Sequence, residues 1–109
     1  MTLKEPPMTP EHVAYLTIGQ AMPGTEHSQM FGKPCFKIGG KAFTCFFQNA
    51  MVFKLTGPAQ AKAIALPGSV LFDPSGTGRA MKEWVQVTGQ HQDQWPEFAA
   101  AALAYVRPA

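Results

Sequence analysis

The stretch Asp73–Trp84, "DPSGTGRAMKEW", has the ingredients of an anion site: two glycines, Gly76 and Gly78, followed by the cations Arg79 and Lys82. Glycine-rich turns bind phosphate because successive backbone N–H groups converge on one point, with a cation alongside. The two well-defined phosphate motifs do not fit. A Walker loop needs lysine directly after its last glycine and then a hydroxyl, whereas Arg79 follows Gly78 here and Lys82 lies three residues on. A dinucleotide fingerprint needs a third glycine where Met81 stands, and a helix behind it, whereas "EWVQV" alternates like a strand. A candidate anion nest at Gly76, Gly78, Arg79 and Lys82 is what remains, set in a Pro-Ser-Gly turn between two strands.

The other reactive residue types are scattered. Cys35 and Cys45 have nine residues between them, and neither a CxxC pair nor a histidine cluster accompanies them, so zinc is not indicated. His12, His27 and His91 fall near element starts, without a serine or cysteine beside them in a nucleophile motif. None of the seven carboxylates forms an acid–base pair by spacing, and the Glu26–His27 doublet sits in a loop. The expectation is no catalytic constellation, no metal and no cofactor.

Composition sets the frame for these residues. With 109 residues, 46% hydrophobic and 15% charged, the chain suits one folded domain with a single core rather than a disordered segment. Its nine cations and net charge of +2 are spread along the whole length, a thin footprint for nucleic acid. The start "MTLKEPPMTPEHV" has no apolar export region, and no apolar run approaches the roughly 20 residues of a membrane helix. A cytoplasmic setting with both thiols reduced follows as an expectation.

The elements follow from punctuation and periodicity. Residues 1–8 form a flexible arm, because paired prolines cannot continue a helix, and residues 9–109 form the domain. Thr9 caps a first helix, with Pro10 and Glu11 in its first turn, Val13, Leu16 and Gln20 on its stripe, and Pro23–Gly24 ending it. The run "PCFKIGGKAFTCFFQNAMVFKL" predicts a three-stranded antiparallel meander. Gly39–Gly40 makes the first turn, pairing Phe36 with Phe43, and Gln48-Asn49-Ala50 makes a three-residue second turn. This register buries Phe36, Ile38, Phe43, Cys45, Phe47, Met51, Phe53 and Leu55 on one face. It sets Cys35 on the face opposite Cys45, against a disulfide; a three-residue first loop would set them side by side. A short helix follows, with Thr56 and Gly57 at its cap, Pro58 opening it and Pro67–Gly68 stopping it. "SVLFD" and "EWVQV" are two further strands. "DQWPEFAAAALAYV" is the clearest helix, capped by Asp93, with Trp95, Phe98, Ala99, Ala102, Leu103 and Val106 at the helical period. The fold class is therefore α+β, in the order α-β(3)-α-β(2)-α, an antiparallel sheet covered by helices.

In this register Lys37 and Lys54 flank the second strand on the face away from the core, near Thr44, Phe46 and Val52. Lysines around an aromatic suit single-stranded nucleic acid, and an exposed Phe46–Val52 patch suits a subunit interface, including a homodimer. Lys37, Phe46, Val52 and Lys54 are thus the candidate binding surface.

"MFGKPCFKIGGKAF", "LFDPSGTGRAMKEWVQV" and the closing helix together resemble the N-terminal domain of the TfoX/Sxy family of bacterial competence regulators. The residues that carry the resemblance are Met30-Phe31-Gly32, Gly40-Lys41, and Gly78-Arg79 with Met81 and Trp84; "KPCFKIGGKAF" is also similar to YjbR-like proteins. The likeness spans about residues 24–106. It implies an α-β(3)-α-β(2)-α domain with no catalytic residues to carry over. In the two-domain members it implies transcriptional co-activation alongside a DNA-bound partner, and this chain shows one such domain. The expectation is a small non-enzymatic binding or regulatory module acting through protein contacts. Weak nucleic-acid binding and anion or nucleotide binding are the alternatives.

Overall fold

The computed structural model describes residues 9–30, 32–73, 78 and 81–107. The expected N-terminal arm lies outside the described residues. The elements run α1 (Pro10–Gln20), β1 (Thr25–Met30), β2 (Lys33–Ile38), β3 (Lys41–Phe47), β4 (Ala50–Lys54), α2 (Gly57–Ala65), β5 (Val70–Phe72), β6 (Met81–Val87) and α3 (Trp95–Val106). The strands form one antiparallel sheet in the spatial order β1-β2-β3-β4-β6-β5. The domain is α+β, as the sequence predicts, with one strand more. Thr25–Met30, expected as a loop holding Glu26–His27, pairs along its whole length with β2. Its polar "TEHSQM" suits an edge strand, where little side-chain area is buried and hydrophobic alternation is weak. No described helix is long and apolar enough to cross a membrane.

The start of α1 reads as expected, while its buried stripe and the start of α3 do not. Thr9 caps α1, its hydroxyl accepting from the His12 amide at 3.1 Å. The buried positions of α1 are Tyr15 and Gly19, four apart, while Val13 is 46% exposed. The six apolar positions of α3 are all buried. That helix starts at Trp95 after a short 3₁₀ turn over Gly89–Gln94, so Asp93 lies in the turn and Gln94 takes the cap position.

All three helices pack on one face of the sheet. Tyr15, Ala63 and the α3 residues meet Phe36, Phe43, Met51, Phe53, Leu55, Val85 and Val87 there. A second cluster, Cys35, Cys45, Val52, Phe72 and Trp84, is drawn wholly from strands and lies on the opposite face. Cys45 and Phe47 therefore leave the helix-side core to which the sequence register assigned them.

Two local devices cause this. Phe47 pairs with Ala50, so the β3–β4 turn is Gln48–Asn49 alone, not three residues. Both have positive φ, 51° and 63°, as a type I′ hairpin requires. Asn49 accepts a 2.6 Å hydrogen bond from the Thr9 hydroxyl, tying this turn to the start of α1. In the β2–β3 hairpin the Gly39–Gly40 turn stands as expected, but Phe36 lies opposite Thr44 and Lys37 opposite Ala42. Phe43 is thus the extra residue of a β-bulge. A bulge sets two neighbouring side chains on one face; Phe43 and Thr44 are both buried there, and Thr44 donates its hydroxyl to the Val52 carbonyl at 2.7 Å. Beyond the bulge, parity is reversed, and Cys35 faces Cys45 directly.

Candidate functional site

The face without helices is organised by one transverse row. Ser28, Cys35, Cys45, Val52, Gln86 and Val70 are successive cross-strand partners, one from each strand. Directly opposed residues of an antiparallel pair share a face, so these side chains form a single line. Cys35, Cys45 and Val52 are fully buried, whereas Val70 at the β5 edge is half exposed. Aromatic rings close one side of the row: Phe72 meets Phe47 edge-on at 5.2 Å and Trp84 at 6.5 Å.

Three lysines fringe the line. Lys33, Cys35 and Lys37 alternate along β2, so both lysines share the cysteine's face. Lys54 is the cross-strand partner of Trp84. The Lys33 ammonium stands 5.0 Å from the centre of the Phe47 ring, and that of Lys54 stands 5.9 Å from Trp84. Both are cation–π distances, worth about 0.5–1 kcal/mol each where solvent reaches them. Burial raises the Cys35 thiol above its ordinary range, with Lys37 working the other way. Cys45 is pushed up to about 12, by burial first and by Cys35 second, with Lys33 opposing. Both cysteines are free thiols.

The candidate surface from the sequence is divided by this geometry. Lys37, Val52 and Lys54 share the helix-free face, but Val52 is fully buried rather than part of an exposed patch, and Thr44 turns to the helix side. Phe46 pairs with Met51 on the other face, its ring stacked on His12 at 4.8 Å and 5.2 Å from Tyr15. Sequence reasoning missed Lys33, Cys45, Phe47 and Trp84 as members of the lysine-bearing face. The alternation Lys33-Cys35-Lys37 was visible, but which aromatics join it depends on the Phe43 bulge and the two-residue turn.

In the Asp73–Trp84 stretch, Gly76 and Arg79 lie outside the described residues. Gly78 has a φ of 84°, and its amide donates to the Asp73 carboxylate at 2.8 Å. This amide already has an anionic acceptor within the chain. The exposed Lys82 accepts at its carbonyl from the Gln60 side chain.

The histidines are dispersed. His12 stacks on Phe46, His27 lies 4.8 Å from Phe36, and His91 Nε2 donates to the Pro67 carbonyl at 2.8 Å. Among the described residues no three of His, Cys, Asp or Glu gather as a metal site. A separate groove of about 570 Å³ runs between α1 and the start of α3, lined by Pro10, Val13, Ala14, Ile18 and Pro96 among others.

No protein-family model, no characterised protein and no solved structure matches this chain.

Proposed function

We propose that this protein is a small binding module that engages a protein partner through the helix-free face of its sheet. The observation that carries this reading is the fringe of Lys33, Lys37 and Lys54 around a strip of buried thiols, valine and aromatic rings. An apolar centre inside a charged rim is the usual anatomy of a protein interface. Here the innermost row is sealed, so the partner meets the half-buried layer of Lys33, Lys37, Phe47, Lys54 and Gln86. Three like charges around that layer select a partner surface that is acidic at its edge, because charge complementarity sets which partners dock and how fast. The resemblance to TfoX/Sxy N-terminal domains points the same way, towards regulation through protein contacts. A reduced, cytoplasmic setting suits two free thiols.

A second reading, single-stranded nucleic acid on the same face, draws on the placement of lysines beside Phe47 and Trp84. One experiment separates them. The wild type and a Lys33→Glu/Lys37→Glu/Lys54→Glu variant are used for affinity purification from the native cell, and both are titrated with single-stranded DNA at low salt. The expected result is a protein recovered with the wild type and lost from the folded variant, without salt-dependent DNA affinity. Recovery of the same proteins by both chains overturns the first reading; DNA binding that weakens with salt and is lost in the variant replaces it by the second.

A further inference from the structure

Cys35 and Cys45 lie directly opposite each other in the β2–β3 ladder, on the same face, and neither thiol engages in a hydrogen bond among the described residues. Met30 and Met81 pack against the same buried cluster, so two thiols and two thioethers lie on one side of the sheet. The geometry points to a two-thiolate site for a soft monovalent cation, copper(I), between Cys35 and Cys45. This inference does not rest on the partner-binding reading and goes beyond it.

Distance favours an ion over a bond. The Cβ atoms of directly opposed residues in an antiparallel pair are about 4.5–5.5 Å apart. A disulfide draws its Cβ atoms to about 3.5–4.5 Å. Two metal–thiolate bonds of about 2.3 Å, the length known for zinc, place the sulfurs about 4.6 Å apart when the ion sits in line between them. Opposed side chains reach that span without moving the strands together.

Donor chemistry narrows the metal. Zinc takes four ligands in structural sites and three protein ligands in catalytic ones. Thiolate and thioether donors in low number, in apolar surroundings, select copper(I) over divalent ions. The buried charge also balances. One copper(I) ion displaces two thiol protons to solvent and leaves a bis-thiolate complex with a single negative charge. A buried anion is stable only when paired. Lys33 and Lys37 stand two residues to either side of Cys35 on its own face, and each acts electrostatically on one thiol, Lys33 on Cys45 and Lys37 on Cys35.

The test uses the reduced full chain under argon, with copper(I) supplied as its coloured bicinchoninate complex. The expected result is withdrawal of one ion per chain, seen as loss of colour and as a one-copper species in native mass spectrometry. The copper-loaded wild type should also show the ultraviolet charge-transfer absorption of copper–thiolate bonds, which the metal-free chain lacks. Cys35→Ser and Cys45→Ser should each abolish withdrawal, and Lys37→Met should weaken it roughly tenfold, the scale of a neighbouring group that tunes a metal site. The idea is overturned by no withdrawal, by full withdrawal in either serine variant, or by a copper-loaded wild type without that absorption. A chain two hydrogens lighter and free of copper would instead identify a disulfide pair. Because the absorption is read on the wild type, the outcome does not depend on the variants folding.

Discussion

Gly19 of α1 lies against the ring of Phe36, so closely that a Cβ added at Gly19 would stand 2.1 Å from Cε2 and 2.3 Å from Cζ. Phe36 is boxed in by Tyr15 at 5.1 Å and His27 at 4.8 Å, and it is 2% exposed. Helix propensity alone favours alanine over glycine by about 1 kcal/mol. Overpacking of a filled core costs about 1–3 kcal/mol, so the clash should win. Gly19→Ala is expected to lower the urea midpoint, with the slope of the transition unchanged. A variant as stable as the wild type would mean that α1 does not approach β2 this closely.

Tyr15 is fully buried, and its hydroxyl has no partner among the described residues. Burial, with smaller contributions from Cys35 and Cys45, raises its phenol well above the ordinary range. An unsatisfied buried hydroxyl costs about 1–3 kcal/mol. Tyr15→Phe keeps the ring against Phe36 and Phe46 and removes only that oxygen. It is expected to gain about 1 kcal/mol in chemical denaturation, consistent with relief of that penalty. A loss of stability instead would show that the hydroxyl is satisfied in solution.

The cysteine pair makes the fold sensitive to alkali. A thiol in the unfolded chain ionises near pH 8.5, whereas Cys45 in the folded chain waits until about 12. Its folded pKa is raised, so its contribution to stability is complete below the unfolded value and is lost as pH climbs towards the folded one. Within that window this thiol alone should remove about 1.4 kcal/mol per pH unit. Cys35 and Tyr15, shifted in the same direction, add to the loss. Urea unfolding between pH 8 and 11 should show falling stability, with a shallower fall in Cys45→Ala. An equal slope in the two proteins would place the titration elsewhere.

The sequence was informative where a single residue or a long period decides the outcome. Proline and glycine punctuation located α2, Thr9 and Pro10 located the start of α1, and six apolar positions in α3 all proved buried. The edge strand β1 was not legible, because its stability comes from backbone pairing with β2 rather than from an apolar stripe. The candidate surface was half legible. Lys37, Val52 and Lys54 share a face as the alternation suggested, while Phe46 turns under α1 to meet His12 and Tyr15.

By itself, then, the sequence determined an α+β domain, its helices, its meander and the Gly39–Gly40 turn. The tertiary structure decided which face each strand residue occupies. Side chains in a strand alternate with a period of two, so one inserted or omitted residue moves everything beyond it to the other side. Placing Phe43 as a bulge buries its ring beneath the helices, and closing the next hairpin with Gln48–Asn49 alone brings Met51 and Phe53 to the same core. Those gains come from contacts with segments far away in the chain, which local alternation does not encode. The bulge also set Cys35 opposite Cys45 and brought Phe47 to the helix-free face, beside the Lys33 and Lys37 that β2 alternation already held there.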